Sequence, residues 1–145
     1  MEPIRVKKLR PNAVLPTYGS AEAAGADLYA CLDEEIVIAP GQTSFVPTGL
    51  AMELPKGCAG LICARSGLAC KRGLAPANKV GVIDSDYRGE FIVALHNHGI
   101  EPQNVLPGDR VAQLLIVPVF TPAYEHCEDL TDTQRAAGGF GSTGK

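Results

Sequence analysis

Apolar residues along this chain gather in short stretches, several of which alternate with polar positions, and glycine or proline interrupts them. EIVIAP (35–40), SFVPTGLAMEL (44–54), GEFIVALHN (89–97) and RVAQLLIVPVF (110–120) are rich in Val, Ile, Leu and Phe. A period of two puts every second side chain on one face of a strand. Between the stretches stand Pro40-Gly41, Pro47, Gly49, Pro55, Gly57, Gly60, Pro76, Gly81, Gly89, Gly99, Pro107-Gly108, Pro118 and Pro122. Breakers spaced roughly every 8–12 residues predict many short strands, hence an all-β sandwich or barrel. Only SGLACKRGL, Ser66 to Leu74, resists a strand reading. It predicts one short helix with the Ser66 hydroxyl as its N-cap.

Composition narrows the class. No repeat or linker divides the 145 residues, so 1–145 reads as a single domain long enough to bury a core. Hydrophobic residues make up 46%, too many for a disordered chain, and the net charge is −3. That charge argues against a nucleic-acid footprint, which calls for a basic surface. Cys31, Cys58, Cys63, Cys70 and Cys127 form no CxxC pair. They read as reduced, buried and inert thiols of a cytoplasm-like compartment. The start, MEPIRVKKLR, lacks a secretory h-region, and no run is long enough to span a bilayer.

Candidate chemistry begins at the end of the chain, GGFGSTGK, where Gly139, Gly141 and Gly144 match a GxGxxG spacing. A dinucleotide-binding loop of that kind opens a helix, and here only Lys145 follows. Two readings stay open: an arm whose backbone N–H groups wrap a phosphate, or a solubilising tail. Ordering such an arm costs roughly 1–2 kcal/mol per residue, so a multiply charged ligand would have to offset it.

Four further places are informative. Arg65-Ser66 at a helix start is either an anion site or an ordinary cap beside a surface arginine. NKVGVIDSDYRG, Asn78 to Gly89, packs Asp84, Asp86, Tyr87 and Arg88 between glycines; a turn explains it equally well. Asp27 is a lone carboxylate among small residues in AAGADLYA. Gln113 is an amide in an apolar strand that must satisfy backbone groups or face a ligand. His96 and His98 share one strand face, but no third ligand follows at a useful spacing, and they read as a surface strand end.

Together and in this order, these segments resemble the five motifs of the trimeric dUTP diphosphatase (dUTPase) family. AGADLYA (24–30) is similar to motif one, ARSGLA (64–69) to motif two and GVIDSDYRGE (81–90) to motif three. PGDRVAQ (107–113) is similar to motif four and RAAGGFGSTG (135–144) to motif five. The family usually has glycine after the motif-five arginine, where this chain has Ala136. If φ > 0 is needed there, alanine costs on the order of 1 kcal/mol and loosens arm closure.

The resemblance implies a jelly-roll-like β-barrel with a core of about 1–134 and a flexible C-terminal arm of about 135–145. It implies hydrolysis of dUTP to dUMP and pyrophosphate, with Mg²⁺ on the triphosphate and water attacking the α-phosphorus. Asp84 resembles the carboxylate that orients and deprotonates that water. Arg65, Ser66, Gly67 and Gln113 resemble the phosphate clamp. Asp27 resembles the carboxylate that touches the water shell of the metal. A β-hairpin around Asn78 to Tyr87 would read uracil through the Asn78 amide and the backbone of Gly81, Val82 and Ile83. Tyr87 would lie against the deoxyribose and exclude a 2′-hydroxyl. From the arm, Phe140 would stack on uracil while Arg135, Gly141, Ser142 and Thr143 met the phosphates. Three subunits of a homotrimer would share each site, with no nucleic acid or membrane as partner.

Two rivals come from other classes. A dCTP deaminase shares the fold and parts of motifs two and three, but carries a catalytic glutamate where this chain has Ala94. A regulatory protein that binds dUTP without cleaving it is the other; intact Asp84 and Tyr87 argue against it.

Overall fold

The computed structural model describes residues 3–139. In chain order the elements are β1 (Arg5–Lys8), β2 (Thr17–Tyr18), β3 (Ala26–Tyr29), β4 (Ile36–Ile38), β5 (Thr43–Pro47), β6 (Leu50–Glu53) and β7 (Cys58–Cys63). Then come α1 (Ser66–Arg72), β8 (Leu74–Pro76), β9 (Gly81–Ile83), β10 (Ile92–Asn97), β11 (Gln103–Val105) and β12 (Arg110–Pro118). The fold is all-β with one short helix, as the spacing of breakers predicts. Every ladder is antiparallel. β1 pairs β6, β11 pairs β4, β10 lies between β5 and β8, and the largest sheet runs β2-β3-β12-β7-β9.

The core lies between these sheets. Leu28, Val46, Leu50, Leu74, Phe91 and Leu95 are fully buried, each contributing about 1.5–3 kcal/mol relative to exposure. On β10 the alternation is regular: Val93, Leu95 and Asn97 are buried while Ile92 stands out to solvent. Asn97 is a buried amide with every group partnered. Its Nδ2 donates to Ile38 O at 2.9 Å and Glu101 O at 2.8 Å, and its Oδ1 accepts from Gly99 N at 2.9 Å. SFVPTGLAMEL is one stretch in sequence and two strands in space. Gly49, at φ 68, turns the chain between β5 and β6, and buried Thr48 donates its hydroxyl to Phe91 O at 2.6 Å.

β12 carries the longest ladder and one irregularity. Arg110 faces Tyr29 and Ala112 faces Leu28, so Val111 is the extra residue of a β-bulge. Val111 and Ala112 are accordingly buried in succession. Beyond β12, Val119 N donates to Gly57 O at 2.9 Å. The chain then runs exposed, with Phe120 at 96%, Tyr124 at 97% and Leu130 at 86% of full exposure.

Three expectations need correction. Ser66 is the first residue of α1 and not its cap; extended Arg65 holds the cap position, and no side chain caps the helix. The helix stops at Gly73, which is left-handed at φ 66, so Leu74 belongs to β8. Only Cys31 is a buried thiol: burial pushes its pKa up, while Cys70 and Cys127 are exposed.

His96 Nδ1 lies 2.8 Å from Thr43 Oγ1, and its ring meets that of His98 edge to face with centroids 4.4 Å apart. Local desolvation, then His96 and Lys79, lowers the pKa of His98. Among the described residues no three His, Cys, Asp or Glu side chains gather for a metal, and no helix is long and apolar enough to cross a membrane.

Candidate active site

Strand register assembles the first group of site residues. Across the largest sheet, Asp27 on β3 faces Gln113 on β12, and Gln113 faces Cys63 on β7. Arg65 follows two residues beyond Cys63, where the chain enters α1. Asp27 is 14% exposed and both its oxygens are engaged. Oδ1 accepts from Arg65 Nε at 2.7 Å and Oδ2 accepts from Arg110 Nη1 at 3.2 Å. Such charge-assisted bonds are roughly twice as strong as neutral ones. Arg65 Nη1 also donates to Arg110 O at 3.5 Å, so the guanidinium is held at two nitrogens and turns Nη2 to a ligand.

The Gln113 side chain is anchored to the backbone on its donor side. Its Nε2 donates to Ala64 O at 2.9 Å, binding β12 to the entrance of α1. Its Oε1 lies against Gly25, where a Cβ would sit 2.5 Å away. Glycine is needed there for space, so that the amide can pass over the start of β3. Ser66 and Gly67 open α1, and nothing lies within 4 Å of a Cβ placed at Gly67. Their uncapped N–H groups are among the orphan donors of a helix start.

The second group is local. β9 pairs only with β7, and β8 lies in another sheet, so Asn78 to Tyr87 is not the self-paired hairpin that the resemblance implies. The link between β8 and β9 places Lys79 at φ 66. Gly81 keeps the Asn78 amide close: a Cβ there would stand 3.3 Å from its Nδ2. Past β9, Asp84 to Tyr87 forms a turn closed by Tyr87 N donating to Asp84 O at 3.2 Å. Arg88 Nη1 donates to Ser85 O at 2.8 Å and Tyr87 O at 2.9 Å. The exposed carboxylate of Asp84 makes no hydrogen bond or ion pair among the described residues. Asn78, Val82, Ile83, Asp84 and Tyr87 line one open cavity of about 430 Å³, and Ala94 lines it as well.

Among the described residues, only Arg65 and Arg110 of the first group line a cavity, and it is a different one. Arg65 borders a smaller one of about 190 Å³ with Arg72 and Arg110. Arg135 reaches neither, since its Nε donates to Gly138 O at 2.9 Å within the arm. Ala136 stands at φ 44, so the position after Arg135 is left-handed, as the comparison of motif five anticipates. Phe140, Gly141, Ser142 and Thr143 lie outside the described residues. Sequence reasoning passed over Arg110 and Glu90. The signal for Arg110 was Asp27 itself, a carboxylate among small residues that needs a cation. Glu90 Oε1 accepts from Gly49 N at 2.7 Å, a tie that only the fold reveals.

Comparison with known proteins gives one answer. A model of the dUTPase family matches residues 11–144. The deoxyuridine 5'-triphosphate nucleotidohydrolase of Syntrophotalea carbinolica is 50% identical over 141 residues, 97% of this chain and 96% of that protein. That of Desulfitobacterium hafniense is 56% identical over 131 residues, covering 90% and 87%. Among solved structures, a mutant dUTPase of Staphylococcus bacteriophage 80alpha with dUpNHpp superimposes with a TM-score of 0.92 at 26% identity, over 100% of both chains. A mutant dUTPase from phage phi11 of S. aureus, described with a structural Mg(II) ion, reaches 0.80 at 25% identity, over 88% and 98%. With the ordered motifs, the jelly-roll β fold and these relatives in agreement, the chain belongs to the dUTPase family of hydrolases.

Proposed function

We propose that this enzyme hydrolyses dUTP to dUMP and pyrophosphate by Mg²⁺-assisted water attack on the α-phosphorus, in sites shared by the copies of a homotrimer. One observation carries the reading: the chain holds a cationic cluster and an acid-bearing cavity in two separate places, and neither alone makes a site. Each becomes complete when the cavity of one copy faces the cluster of another. Exposed Phe120, Tyr124 and Leu130 support assembly, because large apolar side chains at that exposure want a partner surface.

Asp84 acts as the base. Its carboxylate is exposed and unpaired among the described residues, so it can align a water and accept its proton. Arg65, Ser66, Gly67 and Gln113 align the triphosphate, with Arg65 pre-set by Asp27. Holding the phosphorus in line with the water removes much of the entropic barrier. Asn78, Gly81, Val82 and Ile83 read the uracil edge, and a cytosine amino group would leave buried groups unpaired. Tyr87 packs on the deoxyribose. The arm adds Arg135, Gly141, Ser142 and Thr143 to the phosphates and Phe140 to the base, excluding bulk water as it closes.

The residues present fit a metal carried by the substrate. No protein ligand set gathers among the described residues, and the oxygens of Asp27 keep lone pairs for hydrogen bonds from metal-bound water. When bound, Mg²⁺ supplies charge neutralisation on the phosphate oxygens. The physiological consequence is less uracil in DNA and dUMP for thymidylate synthesis, and free thiols fit a reducing cytoplasmic compartment. Ala94 brings only a methyl to the cavity of Asp84, at the position where a deaminase of this fold carries its glutamate.

Subunit complementation tests the shared site. Asp84→Asn and Arg65→Ala trimers, each inactive alone, should regain pyrophosphate release from dUTP with Mg²⁺ when unfolded and refolded together. No recovery on mixing would refute shared sites, and equal rates on dUTP, dTTP, dCTP and UTP would refute the assigned selectivity.

A further inference from the structure

We infer that Gly89 is a positioning residue for sugar selectivity, because it supplies the space in which the Tyr87 ring is held. This rests on the reading of Tyr87 as the group that lies against deoxyribose. The Tyr87 ring folds back along its own chain, and its Oη donates to Glu90 O at 3.1 Å. A Cβ at Gly89 would lie 2.5 Å from Cζ and 2.9 Å from Cε2, and closer still to Oη. No real side chain tolerates such contacts. The glycine is not there for its backbone: the left-handed glycines among the described residues are Gly41, Gly49, Gly57, Gly73 and Gly108. Alanine at 89 would therefore avoid left-handed strain, and the three atoms nearest its Cβ all belong to the Tyr87 ring and hydroxyl.

The ring must be what gives way. Downstream, Glu90 Oε1 accepts from Gly49 N at 2.7 Å and Phe91 N donates to Leu50 O at 2.8 Å. Phe91 is fully buried. Upstream, the turn of Asp84 to Tyr87 is closed by its own hydrogen bonds. Backbone after Gly89 is thus held to the body and backbone before it is closed on itself by the turn, whereas the Tyr87 side chain is 43% exposed and open to solvent on its outer side. Swinging out breaks the bond to Glu90 O and removes the wall that a 2′-hydroxyl would meet.

The test compares kcat/KM for dUTP and UTP in the native enzyme, Gly89→Ala, Tyr87→Ala and the double variant. We expect the dUTP preference to fall about tenfold or more in each single variant, and the double variant to be no worse than Tyr87→Ala. If Tyr87→Ala loses the preference while Gly89→Ala keeps it, the inference on Gly89 is overturned and the reading of Tyr87 stands. If Tyr87→Ala keeps it, the reading of Tyr87 falls and the inference with it. Should Gly89→Ala fail to fold, the double variant decides: recovery of the fold locates the clash at the ring, and continued unfolding overturns the proposal.

Discussion

The two halves of the site are built in opposite ways. Asp27, Arg65, Arg110 and Gln113 come from distant parts of the chain and meet because three strands share a register. Asp84 to Glu90 is a continuous segment whose ties are chiefly to itself. The first half is an outcome of folding the whole sheet, so damage there should reach stability as well as activity. The second is a local turn set on a finished scaffold, where chemistry can change while the fold remains.

The sharpest way to break this contrast is Asp84→Asn. Turnover should fall about 10²- to 10⁴-fold with melting temperature and substrate affinity nearly unchanged; comparable turnover would remove the base assignment. Asp27→Ala comes next and should do the opposite. Leaving two partly exposed guanidiniums without their carboxylate should cost about 1.5–3 kcal/mol, the range for hydrogen bonds to charged groups. Denaturant melts and dUTP kinetics would both register it, and an unchanged melt would show that the cluster is not structural. Deleting residues from Gly138 onward should leave the proposed trimer intact and raise KM by roughly 5- to 150-fold, the worth of one aromatic–base stack. Unchanged kinetics would make the arm dispensable. The smallest effect belongs to Ala136→Gly. Relief of about 1 kcal/mol of left-handed strain should tighten dUTP binding up to about fivefold, readable as a lower KM.

How much of this was legible depended on whether the cause was local. EIVIAP, GEFIVALHN and RVAQLLIVPVF declare their strands by apolar content, and the structure places β4, β10 and β12 there. RVKK in β1 could not be read, because three of its four residues are polar and its order comes from pairing with β6. Ser66 misled because its type favours capping, yet Arg65 is drawn into the extended position by Asp27. The Asp84 turn was visible from its composition. The Asp27–Arg110 pair was not, since it spans most of the chain. The outward turn of Cys70 and Cys127 shows that residue type alone is a poor guide to thiol burial.

The extra residue at Val111 bears on how this enzyme can be edited. Side chains three apart on a regular strand emerge on opposite sides, but the bulge restores Arg110 and Gln113 to one side by inserting a step between them. A ladder made regular with all its residues kept would carry Arg110 to the side away from Asp27, whereas removing Val111 would leave Arg110 and Gln113 two apart and still on one side. Losing Val111 should therefore cost a buried side chain and spare the Asp27–Arg110 pair, so that the bulge sets spacing while the pair survives its removal.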